Sequence, residues 1–188
     1  MLSLKEATGR TLGWAARDVT GLKVGLALGA GSIKGYAHIG VLYMLERWNI
    51  PVDFIAGASI GAAIASSYSL GFPPATVARM IDHVGKRAFK LAVPRYGMLS
   101  SSGVRDRIRR VARDRRIEDS RIPLALAAAD INTGLEVVLK EGLIWPAVTA
   151  SMAIPGIYPP IPMGDYMLVD GVVNPVPSDA VSGMGRIP

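Results

Sequence analysis

Cysteine is absent from the 188-residue sequence, which removes thiol nucleophiles, disulfides and thiolate metal sites. Histidine is almost absent, with only His38 and His83 present. Two histidines cannot build a His-rich metal site, and no metal or cofactor is expected. The N-terminal stretch MLSLKEATGRTLGWAARD is punctuated by charge and lacks the apolar core of a signal peptide, which argues for a cytoplasmic protein. The longest uncharged run, residues 54–78, exceeds the length of a membrane span. Gly57, Gly61, Gly71 and Pro73-Pro74 break it, so it reads as buried core.

Half of the residues are apolar, and the length suits one domain with a substantial core. Charge is unevenly spread. Residues 85–121 carry twelve Lys/Arg against four Asp/Glu, while the rest of the chain is slightly acidic. A segment of this kind attracts phosphate on nucleic acid or on anionic lipid, unless it is only a solvated helix face. Few aromatics interleave with the arginines and no recognition motif stands behind them, which argues against nucleic acid.

Leu22-KVGLALG-Gly29 is a continuous apolar run that predicts a buried strand. AGSIKG then makes a glycine turn, and YAHIGVLYMLERW places apolar residues at helical spacing. A second strand is predicted at Ile50–Gly57 and a helix from Ser59 to about Leu70, ended by Gly71 and Pro73-Pro74. Further helices are predicted from Pro74 to Val84, from Ser101 to about Ala112, and from Pro146 to Ile154. Two strands joined at Asn132-Thr133-Gly134 occupy 122–131 and 135–139. GIYPPIPMGD reads as a proline-rich loop leading to Tyr166–Val169 and then Asp170-Gly171. Strand and helix alternate over the first 70 residues, which predicts an α/β fold with a mainly parallel sheet.

Two glycine-rich turns carry the chemistry. Gly29-Ala30-Gly31-Ser32-Ile33-Lys34-Gly35 lies between strand and helix, where amide N–H groups and a helix N-terminus favour an anion. A dinucleotide pyrophosphate is one candidate. That design wants an acid at the far end of the second strand, whereas Asp53 stands at its start. The other candidate is the oxyanion of an attacked carbonyl. Gly57-x-Ser59-x-Gly61 sits between strand and helix, the setting of a nucleophile elbow. Gly57 and Gly61 would make room for the strained turn that lifts the Ser59 hydroxyl. A parallel sheet would bring the first glycine loop beside it. The plain alternative for this segment is a small-residue packing seam.

A serine nucleophile needs a base, and no histidine follows His83. His38 reads as a helix residue bonded to backbone. That leaves a carboxylate acting directly, with Asp170 at a strand end as the candidate. Asp130 is the rival, although it reads more simply as a turn former before Asn132-Thr133-Gly134.

Four stretches, GAGSIKGYAHIGVL at 29–42, DFIAGASIGA at 53–62, AADINTG at 128–134, and TASMAIPGIYPPI through LVDGVVNPVP at 149–177, resemble the patatin-like phospholipase family in their order and separation. The resemblance implies a three-layer α/β/α fold with a mainly parallel central sheet. It implies a Ser59–Asp170 dyad and an oxyanion hole around Gly29, Gly31 and Ser32, with Lys34, Gly57, Gly61 and Gly171 in support. Lys34 stands where the family usually has arginine, and Val172 follows Asp170-Gly171 where glycine or alanine is usual. The implied reaction is hydrolysis of an ester in an acyl lipid, a phospholipid or lysophospholipid. On this reading residues 1–20 form an amphipathic leader and 21–188 the hydrolase domain, with a basic, cap-like helical segment at 85–121 that contacts anionic membrane. The family pattern continues with another core strand where this chain stops, so the resemblance also implies a C-terminally truncated domain.

Overall fold

A computed structural model describes residues 4–88 and 102–185. Helix α1 (Leu4–Thr20) precedes strand β1 (Gly25–Leu28), a 3₁₀ turn (Ser32–Gly35) and α2 (Tyr36–Arg47). Strand β2 (Phe54–Ala58) leads into α3 (Ile60–Ser69), and α4 (Pro74–Ala88) and α5 (Ser102–Ala112) follow before β3 (Leu124–Asp130). Strand β4 (Glu136–Leu139), α6 (Ile144–Ser151), β5 (Ile161–Met163) and β6 (Tyr166–Asp170) come next, and a second 3₁₀ turn (Gly171–Val173) precedes α7 (Ser178–Gly185).

β1, β2 and β3 are parallel neighbours, and β4, β6 and β5 add antiparallel pairings. Every residue of β2 and β3 is buried, because helices cover both faces of the sheet. The two faces differ in side-chain size. Leu28, Ile55, Leu124 and Leu126 project into the main core with residues of α2 to α6. On the other face Ala56 and Ala125 meet Ala180, Val181 and Met184 of α7. Such small residues let α7 lie close to the sheet. The chain is thus a three-layer α/β/α sandwich. Among the described residues no helix is long and apolar enough to cross a membrane.

Helix α1 is fastened to the sheet by an ion pair between a partly exposed arginine and a buried aspartate. Arg17 donates to both carboxylate oxygens of Asp53, at 2.8 and 2.6 Å, and the Val24 amide donates to the same group at 2.9 Å. In α5, Ile108 and Ala112 enter the main core one helical turn apart, while Arg105, Arg109, Arg110 and Arg113 are exposed. Arg109 lies over the Trp145 ring and Arg115 over Phe72, each at 5.5 Å. The first part of the basic segment, residues 89–101, lies outside the described residues.

Three elements differ from the sequence expectation, the first being α7, a helix over Ser178–Gly185 where no element was expected. Helix α6 starts two residues before Pro146, since a proline in the first turn removes an amide that has no intrahelical acceptor. It stops at Ser151, ahead of Pro155. Within the stretch expected to be loop, Ile161–Met163 forms β5 despite Pro162. Among the described residues β5 pairs only with β6, and an edge strand tolerates a residue without an N–H.

Candidate active site

β3 acts as the template on which two strand ends meet. Leu126 and Ala127 pair with both β2 and β4, and Ala128 and Ala129 pair with both β4 and β6. β2 and β6 therefore occupy successive stretches of the same edge of β3, running toward each other. The last residue of β2, Ala58, is paired with Ala127, and the last residue of β6, Asp170, with Ala128. Ser59, next after Ala58, is thus delivered to the carboxylate of Asp170. The Ser59 hydroxyl donates to Asp170 Oδ2 at 2.7 Å.

Ser59 has φ 54° and ψ −120°, a conformation that L-residues avoid and that persists only when the surroundings enforce it. Three features do so. A Cβ on Gly57 would run into the Gly61 carbonyl, and one on Gly61 into the Leu28 carbonyl. The absence of both lets α3 rest directly on the ends of β1 and β2. The third is Ser151 of α6, which is fully buried. Its hydroxyl donates to the Ala127 carbonyl at 2.6 Å and accepts from the Ser59 amide at 2.8 Å. Nothing in the sequence singled out Ser151, although its place two residues before Ala153-Ile154-Pro155 in the TASMAIP stretch is a usable signal.

Asp170 is buried. Burial pushes its carboxyl above the ordinary aspartate value, and the hydrogen bonds from the Ser59 hydroxyl and the Val172 amide oppose that shift without cancelling it. Gly171 carries no Cβ because the Ala127 carbonyl occupies that position. Val172 does not displace the acid. Its amide serves Asp170, and its side chain is exposed.

The first glycine loop reaches the same place from β1. Ala30, Gly31 and Ser32 line a cavity of about 720 Å³ together with Ser59, Ile60 and Asp170. Ser32 has φ 50°, and the amides that open its 3₁₀ turn have no intrahelical acceptor. The Ala30 amide is taken by the Pro175 carbonyl at 2.8 Å. Gly29 stands one residue behind the cavity wall. Its carbonyl lies 2.9 Å from His38 Nε2, so His38 bonds to backbone as its sequence position suggested. Lys34 is exposed on the 3₁₀ turn. Deeper walls come from Ile81 of α4, Ile108 of α5, and Ile144 and Val148 of α6, all apolar.

The two rival acids are engaged elsewhere. Asp130 accepts from the amides of Met167 and Thr133, at 3.0 and 3.1 Å, and from the Thr133 hydroxyl at 2.9 Å. It is a turn former that also anchors β6. Asp53, which a nucleotide reading would direct to a ribose, is buried under Arg17.

Fold and geometry together define an α/β protein with a strained serine at a strand end, bonded to a buried aspartate. Residues 26–181 match the model of the patatin-like phospholipase family, and the chain belongs to that family. Human patatin-like phospholipase domain-containing protein 6 is 34% identical over 180 residues, covering 90% of this chain and 13% of that protein. Patatin-like phospholipase domain-containing protein 7 of Rattus norvegicus is also 34% identical over 180 residues, with the same coverage of each chain. Neuropathy target esterase sws of Drosophila melanogaster is 32% identical over 180 residues, again 90% of this chain and 13% of that protein. The chain thus spans about an eighth of the length of these relatives.

Proposed function

We propose that the chain hydrolyses carboxylic esters of acyl lipids, phospholipids or lysophospholipids, with Ser59 as nucleophile and Asp170 as its base. One observation carries this reading: the strained Ser59 gives its hydroxyl hydrogen bond to a buried carboxylate, 2.7 Å away, at the end of an apolar cavity. The phospholipase and esterase names of the relatives supply the class of substrate.

In the first step Ser59 Oγ bonds to the ester carbonyl carbon and its proton passes to Asp170. A charge-assisted hydrogen bond is already set along that path. Negative charge grows on the carbonyl oxygen, and the amides of Gly31 and Ser32, which line the cavity with Ser59, receive it. The Ile60 amide, in the first turn of α3, is a third. Asp170 returns the proton to the leaving alcohol, leaving an acyl ester on Ser59. Water then attacks that ester with Asp170 accepting its proton; as the acyl–oxygen bond breaks, Asp170 returns the proton to Ser59 Oγ and the free acid departs. The apolar walls hold the acyl chain.

Contact with an anionic membrane through residues 85–121 belongs to the same reading, supported by the exposed arginines of α5. Labelling with a fluorophosphonate tests the core of the proposal. Wild-type chain is expected to be labelled at Ser59, Ser59→Ala to give no label, and Asp170→Asn to react at least roughly a hundredfold more slowly. Labelling that persists in Ser59→Ala refutes it.

A further inference from the structure

Four large hydrophobic residues both wall the cavity and remain open to solvent: Ile33, Tyr36, Ile154 and Val172. They frame its mouth. Ile33 is 74% exposed and Val172 57%, far from the burial usual for such side chains. Exposed apolar surface continues outward through Ile157, Val173 and Val176. Backbone hydrogen bonds tie these segments down. The Ile157 amide donates to the Ile154 carbonyl at 3.0 Å, and Pro175 accepts from Ala30 of the glycine loop. Tyr36 is held by its hydroxyl bond to Asp82 at 3.0 Å.

We propose that this rim docks on the surface of a lipid bilayer, so that the cavity opens directly into the acyl layer. The inference rests on the acyl-lipid reading of the site. Ile157 is bonded through its backbone to Ile154, and Val173 follows Val172 in the chain, so exposed apolar side chains adjoin mouth residues that share the cavity with Ser59. A second protein seated on the rim would need no such continuity with the cavity. A lipid chain does, because each methylene that crosses water on its way to Ser59 adds to the barrier of entry. The charge pattern agrees. Lys34 stands exposed beside Ile33 with no ion pair among the described residues, a cation able to meet a lipid phosphate. Docking by apolar side chains with a single cation works on zwitterionic lipid as well as anionic lipid.

Flotation of the full chain with phosphatidylcholine vesicles tests this, using Ser59→Ala to keep the lipid intact. The Ser59→Ala chain floats with the vesicles. Adding Ile157→Glu and Val173→Glu lowers the bound fraction by roughly tenfold or more. Neither residue walls the cavity, so in the chain that retains Ser59 the same pair leaves hydrolysis of soluble p-nitrophenyl butyrate within about twofold of wild type. Equal flotation of the two chains overturns the proposal, as does a Ser59→Ala chain that stays in solution. Flotation that requires phosphatidylglycerol and disappears in high salt also overturns it, and assigns the contact to the arginines instead. A chain that floats through the rim yet cleaves no ester refutes the hydrolase reading and leaves the docking surface standing.

Discussion

The amide of Ser59 donates to the hydroxyl of Ser151 at 2.8 Å, and that hydroxyl donates in turn to the Ala127 carbonyl at 2.6 Å. One buried side chain therefore bridges the strained residue and the strand beside it. Without the bridge, the Ser59 amide keeps a buried donor unpaired, and the turn can relax toward a commoner conformation. Ser151→Ala is expected to lower kcat by roughly 10–100-fold with little change in KM. Steady-state kinetics on a soluble ester separates the two. A rise in KM at constant kcat would mean that Ser151 shapes the cavity and not the turn.

Asp170 is a buried carboxyl held above its ordinary value, so the folded chain binds its proton more tightly than the unfolded chain does. Stability associated with this group is highest below the unfolded value of about 3.9 and falls as pH rises through the folded value. Asp170→Asn, which keeps an acceptor for Ser59, is expected to abolish activity and yet raise Tm at pH 7. Each kcal/mol recovered corresponds to about 2–4 °C in a domain of this size. The gain shrinks in acid, where Asp170 in the wild-type chain is protonated. Thermal unfolding of both chains at pH 4 and pH 7 measures it, and an Asn variant less stable at pH 7 contradicts the assignment.

The same burial sets the pH profile. If Asp170 must be ionised to accept the Ser59 proton, kcat/KM on a neutral ester rises with pH along a limb whose midpoint lies above about 3.9. A limb at or below that value would remove Asp170 from the base role.

Gly61→Ala places a methyl group against the Leu28 carbonyl, and backbone on both sides has little freedom to yield. The expected cost is about 3 kcal/mol or more, read as a fall in denaturation midpoint, with loss of fluorophosphonate labelling.

Arg17→Ala leaves Asp53 buried without its fork. Burial pushes the Asp53 carboxyl up, but Arg17, the Val24 amide and Lys23 outweigh that and hold it below the ordinary value. The stabilisation is present above about pH 3.9 and is lost as pH falls through the lower folded value. Since Arg17 is partly exposed, the substitution is expected to cost about 1–3 kcal/mol at pH 7 and much less near pH 2. Urea melts at the two pH values check the difference.

Sequence reading reached the first half of the fold well, because β1, β2 and their helices announce themselves locally. An apolar run, a glycine turn and a helical period follow one another in each unit. Ser59 and Asp170 were legible for a related reason, each lying where a strand pattern ends in small residues. Their pairing was named through the need for a base and the family resemblance, but the geometry that joins them was not legible. It depends on β6 running against β3 and sharing an edge with β2, a pairing that no window around Tyr166–Asp170 encodes. Ser151 was equally hidden, since a serine inside a short apolar helix looks the same whether it bonds to its own helix, as Thr149 does to the Trp145 carbonyl, or to a neighbouring strand. β5 was missed because proline counts against a strand until it is known that the strand has only one neighbour.

Because β2 and β6 end head to head on consecutive residues of β3, the spacing of the reacting pair is set in whole-residue steps. Sliding β6 by one position would carry the carboxylate about 3.3 Å along the sheet and turn it to the opposite face. Insertions and deletions confined to the loops between Asp130 and Tyr166, outside β4, α6 and β5, can thus remodel the turns while the chemistry stays indexed to Ala127 and Ala128. A shift of register in β2 or β6 against β3 would break that index.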